Sequence, residues 1–89
     1  MIRVHYMFYG SVQGVGFRYR AEYAAMRHRL TGWVRNNWNG AVEMEVQGEE
    51  DHIKAMVEEI GRGRFVEIRR IEKNMIPPVD HESSFTVRY

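Results

Sequence analysis

Gly10-Ser11-Val12-Gln13-Gly14-Val15-Gly16-Phe17-Arg18 is a turn-prone run, poor in large side chains, that separates two segments of different periodicity. Ahead of it Ile2, Val4, Tyr6 and Phe8 alternate with Arg3, His5, Met7 and Tyr9, the pattern of a half-buried strand. Behind it Tyr19-Arg20-Ala21-Glu22-Tyr23-Ala24-Ala25-Met26-Arg27 is made largely of residues that favour helix. The order is strand, glycine loop, helix. At such a junction glycines adopt positive φ and leave room for an oxyanion, while unpaired N–H groups of the loop and first helical turn point towards it. Arg18 adds a permanent positive charge on a planar fork that grips two phosphate oxygens at once. Read alone, the same run serves equally as a plain tight connection.

Residue type excludes three better-known phosphate loops. A nucleotide P-loop needs Lys followed by Ser or Thr after its last glycine, where this chain has Phe17-Arg18. The dinucleotide fingerprint needs a third glycine about three residues beyond Gly16, where Tyr19 stands, and 89 residues are too few for a doubly wound sheet. A tyrosine-phosphatase loop needs a thiolate nucleophile, and the chain has no cysteine. Phosphoryl chemistry at this loop therefore has to use water directly.

The remaining chain completes a small α+β domain. Leu30 to Asn36 reads as a second strand and Ala41 to Gln47 as a third, with Val42, Met44 and Val46 towards the core. Asn37-Trp38-Asn39-Gly40 joins them, because Asn-Gly accepts the positive φ values of a tight hairpin. Ile53, Met56, Val57 and Ile60 then fall at helical offsets behind the acidic start Glu49-Glu50-Asp51, with Gly61 as the expected stop. A fourth strand is expected from about Phe65 to Lys73, with a bulge or register shift where Ile71 breaks the parity of Val66 and Ile68, and Pro77-Pro78 ends it. Phe85 to Tyr89 alternates again as a short extra strand. The β-α-β-β-α-β order predicts a ferredoxin-like sandwich, two helices on one face of a mainly antiparallel sheet, over a single domain 1–89.

Composition narrows the partners. Thirteen basic and twelve acidic residues leave a net charge of +1, which supplies no polybasic face for nucleic acid. An RNA-recognition motif shares this element order but needs stacking aromatics on its third strand, where Val42-Glu43-Met44-Glu45-Val46 has none. Neither a signal pattern nor a long apolar span occurs, so a cytoplasmic, membrane-free monomer is the expectation. His5, His28, His52 and His81 lack metal-ligand spacing, so no metal site is expected, and the six methionines are assigned to core filling.

Gly10, Val12, Gln13, Gly14, Val15, Gly16, Phe17 and Arg18, followed by Gly32, Trp33, Val34, Arg35 and Asn36, resemble the two signature motifs of the acylphosphatase family. The hairpin Asn39-Gly40 and the ending Phe85 to Tyr89 also fall where that family would place them. The resemblance implies hydrolysis of the carboxyl–phosphate anhydride of acyl phosphates to carboxylate and inorganic phosphate, with no metal or organic cofactor. It implies Arg18 as the phosphate-binding arginine and Asn36 as the residue that positions the attacking water, with phosphate held by loop amides from Gln13 through Gly14, Val15 and Gly16 to Phe17. A neutral amide is no strong base, but it can fix a water by hydrogen bonds while substrate oxygens take the proton.

Two alternatives accompany this expectation. One is a catalytically weak or inactive anion-binding relative. The other is a carbamoyl-phosphate-handling domain of the kind found in hydrogenase maturation factors, where Pro usually follows the arginine and this chain has Tyr19. Asn37 and Asn39 read as turn residues, Arg35 as a solvated strand residue, and Trp38 as a hairpin-tip aromatic. The terminal carboxylate of Tyr89 is a candidate partner for Arg18. Arg29 stands where the family commonly has a glycine, so a left-handed conformation there would cost roughly 1 kcal/mol.

Overall fold

The computed structural model describes all residues 1–89. The elements are β1 Ile2–Ser11, α1 Phe17–Arg27, β2 Thr31–Asn36, β3 Val42–Gly48, α2 Glu50–Gly61, β4 Glu67–Ile76 and β5 Phe85–Arg88. They form a five-stranded sheet in the order β4-β1-β3-β2-β5. All neighbours are antiparallel except β2 and β5, which run parallel with Gly32 beside Phe85 and Val34 beside Val87. This is the ferredoxin-like sandwich with its extra strand.

Strand parity places the core. Val4, Tyr6 and Phe8 of β1 and Val42, Met44 and Val46 of β3 share one face and join a single cluster with Ala21, Ala24 and Ala25 of α1 and Ile53, Met56 and Ile60 of α2. Both helices therefore cover that face. Its centre is aromatic: the Phe8 ring meets Phe17 at 5.0 Å between centroids and stacks on Tyr6 at 5.3 Å. Full burial of such side chains contributes about 1.5–3 kcal/mol each.

The opposite parity carries charge. Arg3 is buried, with its guanidinium bonded to Glu45, Gln47 and both carboxylate oxygens of Glu82 at 2.8–3.2 Å. Gln47 in turn donates to the Val79 carbonyl and accepts from the Val79 N–H. These contacts pin the connection between β4 and β5 to the helix-free face. Burial by itself would push the Glu82 carboxyl up, but hydrogen bonds from Arg3 and Thr31 together with the charges of Arg3 and Arg88 outweigh that and hold it below the usual carboxylate range. Glu43 behaves alike: burial raises it, while bonds from His5 at 2.7 Å and Arg35 at 2.9 Å bring the net shift down. Arg35 is exposed, as expected, and shares the Trp33 ring with Arg88.

Several expectations needed correction or gained precision. The fourth strand starts two residues later than expected and runs on to Ile76, directly before Pro77, and Phe65 lies outside it and 67 % exposed. The parity break is real but sits earlier than Ile71: Gly10 pairs with Ile68 and Tyr9 with Arg70, which leaves Arg69 as the extra residue. A Cβ at Gly10 would stand 2.2 Å from the Glu67 carbonyl oxygen, so only glycine lets β4 approach there. Gly61 does not stop α2 by a left-handed turn; it is the last helical residue, and Arg62 caps the end in αR geometry. Of the methionines only Met44 and Met56 fill the core, whereas Met1, Met26 and Met75 are exposed, because unbranched apolar side chains carry no directional information in sequence.

The end of α1 confirms the departure at Arg29, which has φ 56. Arg29 N–H donates to the Met26 carbonyl and Leu30 N–H to the Ala25 carbonyl, the two bonds of a Schellman turn. The chain accepts a left-handed arginine because Leu30, just beyond it, is buried.

Candidate active site

The loop is held from below and presents its backbone above. β1 ends at Ser11, Val12 turns into the core at 1 % exposure, and Phe17 does the same at the first position of α1. Between these anchors φ is positive at Gly14 and Gly16 (72° and 81°) but not at Val15, and Phe17 is helical. Such alternation turns successive N–H groups to one side and makes an anion nest. A Cβ at either glycine would meet nothing within 4 Å, so it is conformation rather than space that calls for glycine. The N–H groups of Gln13, Gly14, Val15 and Gly16 donate to no backbone or side-chain acceptor in the protein. Those of Phe17, Arg18 and Tyr19 in the first turn of α1 have no intrahelical acceptor either, because the ladder begins with Arg20 donating to the Gly16 carbonyl.

Arg18 and Asn36 come together at this loop. A hollow of about 210 Å³ is lined by Val12, Gly14, Gly16, Phe17, Arg18 and Asn36. Arg18 projects from the first turn of α1, and Asn36 is the last residue of β2, opposite Val42. Neither makes an ion pair or a side-chain hydrogen bond within the protein. The neighbouring asparagines are occupied differently: the Asn37 carbonyl and N–H close the hairpin, and Asn39 Oδ1 accepts from the Ala41 N–H at 3.0 Å. They are turn residues, and Asn36 alone of the three lines the hollow. Trp38 at the tip is fully exposed and lies outside it.

The loop and the β2–β3 hairpin are tied by a side chain. Gln13 Nε2 donates to the Asn37 carbonyl at 2.6 Å and to the Ala41 carbonyl at 2.9 Å. The Gln13 side chain is thus committed to the hairpin, and only its backbone N–H faces a ligand role. By this tether the element that carries Asn36 is held against the element that carries Arg18. Sequence reading missed the tether, since glutamine in a turn-prone run has no preferred partner.

Four further residues line the hollow: Tyr19, Glu22, Val87 and Tyr89. The structure corrects the expectation for Tyr89, whose ring, rather than its carboxylate, lies 4.9 Å from the Arg18 guanidinium carbon. A cation over an aromatic face is attracted by the ring quadrupole, so Tyr89 steadies the arginine while leaving its N–H groups free. Glu22, one turn along α1 from Arg18, brings a carboxylate to the rim that the sequence had not marked. A larger hollow of about 580 Å³ adjoins on the far side of Tyr19 and Glu22. The smaller one is where the unpaired donors converge. Nowhere do three or more His, Cys, Asp or Glu side chains gather with metal-site spacing, and no helix is long and apolar enough to cross a membrane.

Known proteins match this chain along its whole length. The Acylphosphatase family profile matches residues 4–87. The acylphosphatase of Clostridium beijerinckii is 43 % identical over 90 residues, covering all of both chains. In three dimensions the acylphosphatase of Bacillus subtilis superposes with a TM-score of 0.91 at 31 % identity, again over all of both chains. T. kodakarensis HypF matches with a TM-score of 0.84 at 34 % identity; all of this chain is covered but only 12 % of that protein. Both the glycine loop with Arg18 and the strand that ends in Asn36 lie inside the matched region, and the chain belongs to the acylphosphatase family.

Proposed function

We propose that this protein hydrolyses the carboxyl–phosphate anhydride of acyl phosphates by direct attack of water on phosphorus. One observation carries the reading: an arginine without a carboxylate partner, a run of unpaired loop amides and an unpartnered asparagine amide border one hollow. A positive charge without a counter-ion beside N–H groups that have no internal acceptor favours an anion at this place. The N–H groups from Gln13 to Phe17 and the Arg18 fork then bind the three terminal phosphoryl oxygens and stabilise the charge they carry in the transition state.

Asn36 orients the nucleophile. Its amide oxygen accepts from a water, which attacks phosphorus opposite the carboxylate oxygen. The bond from phosphorus to the water oxygen forms as the bond to the acyl oxygen breaks, and the electron pair leaves with the carboxylate. The water's second proton passes to a phosphoryl oxygen of the substrate, which yields dihydrogen phosphate. A carboxylate is a good leaving group, so general-acid help is not needed, in keeping with a hollow whose only acidic side chain is the exposed rim residue Glu22.

Hydrolysis of benzoyl phosphate in ¹⁸O-water tests the reading. One labelled oxygen per turnover is expected in phosphate and none in benzoate; label in benzoate would place the attack on carbon and overturn it. Asn36→Ala is expected to lower kcat while inorganic phosphate still binds, because orienting water and gripping phosphate are separate tasks. Equal loss of phosphate binding would refute that division.

A further inference from the structure

We propose that the trough between α1 and β5 receives the acyl group and selects medium-length acyl chains; this rests on the hydrolysis proposed above. The trough and the phosphate hollow share Tyr19 and Glu22 and are walled by the same two elements. At the phosphate end α1 contributes Arg18 and β5 contributes Val87, with Tyr89 just beyond it. At the far end α1 contributes Met26, facing Phe85 and the preceding Ser84. The helix runs away from the phosphate as the strand runs towards it, so the two hollows follow one another along α1 and meet at Tyr19 and Glu22.

The lining of the trough is apolar where a solvent-facing helix should be polar. Tyr19, Tyr23 and Met26 recur at helical spacing with 72 %, 50 % and 68 % exposure, above a floor formed by buried Leu30 and Phe85. An exposed apolar stripe beside a hollow marks a binding groove, and about 580 Å³ lies within the usual size of small-molecule sites. From Arg18 to Met26 the helix rises roughly 12 Å, about the extended length of an eight- to ten-carbon acyl chain. Two charged side chains border the trough, Glu22 where it meets the phosphate hollow and Arg29 beyond the end of α1.

Acetyl and octanoyl phosphate differ by six methylenes. For a chain covered on one side, each buried methylene adds about a twofold preference, or roughly 60-fold over the six. Because the chain is held equally in ground and transition states, the gain is expected in KM with kcat little changed. Met26→Asn is expected to cut the octanoyl-to-acetyl ratio of kcat/KM at least threefold. Calorimetry with octylphosphonate against methylphosphonate reads the trough without turnover, and tighter binding of the octyl compound, weakened in the variant, is expected. Equal KM for the two acyl phosphates, or a ratio unmoved by the variant, would overturn the acyl trough while leaving hydrolysis standing. No turnover of either substrate with the phosphonate preference intact would refute hydrolysis and leave an alkyl-binding trough. A dimer in sedimentation that octylphosphonate does not dissociate would assign the trough to a second copy of the chain and overturn the proposal.

Discussion

Arg3 and Arg18 carry the same guanidinium in opposite circumstances. Arg3 lies on the helix-free face at 2 % exposure with four hydrogen bonds, two to Glu82 and one each to Glu45 and Gln47. Arg18, on the first turn of α1, has an aromatic ring beside it and no ion-pair partner. A buried charge with four of its five N–H donors used is a structural joint, and here it fastens the β4–β5 connection to the sheet. A charge left without a counter-ion beside unpaired backbone amides offers its donors outward, in keeping with the anion-binding role proposed above.

The contrast breaks most plainly at Arg18. Arg18→Gln is expected to lower kcat/KM for benzoyl phosphate by at least the ~10²–10³-fold typical of one lost transition-state donor, with Tm nearly unchanged. Steady-state phosphate release and a thermal melt on one preparation measure both. A variant that kept its activity and lost its Tm would make Arg18 a second structural joint.

At Arg3 the expectation is reversed. Arg3→Met strands two carboxylates, but Glu45 and Glu82 remain 24 % and 21 % exposed, so the loss is about 2 kcal/mol rather than the ~3–5 of a fully buried pair. For a domain of this size that corresponds to a fall in Tm of roughly 8–16 °C, with activity per folded molecule retained. Circular dichroism melts check it.

A smaller effect tests a backbone position that belongs to neither arginine's network. Arg29→Gly removes the left-handed strain at φ 56 and is expected to add about 1 kcal/mol, raising Tm by several degrees without changing kcat. Smallest is the acid response of the paired face. Glu43 and Glu82 sit lower in the folded chain than in the unfolded one, so their contribution is present above the unfolded value of ~4.3 and is lost as pH falls through their folded values. Tm should be flat from neutral pH to about 5 and fall below about 4, and Glu82→Gln should flatten part of that fall.

The site was legible in sequence to the extent that its parts are local. The loop glycines, Arg18 at the helix start and Asn36, four residues after Gly32 on β2, all lie in short segments whose periodicity and turn chemistry are visible. Assigning Asn36 over Asn37 still needed the family motif, because both are good turn residues. Gln13's tether, Glu22 at the rim and the Tyr89 ring were not legible, since each depends on which distant segment happens to arrive beside it. Gln13 reaches Asn37 and Ala41 only because β1 and β2 flank β3.

The amino-acid sequence by itself determined the element order, the parity of the core strands and the glycine-dependent loop between β1 and α1. These follow from φ preferences and from apolar spacing, which act within a few residues. The tertiary structure decided what adjoins the loop: β5 laid parallel to β2, the trough this opens against α1, and the binding of residues 77–84 to the opposite face by Arg3 and Gln47. Those outcomes depend on charges and surfaces up to 79 positions apart in sequence, which meet only when the sheet is assembled.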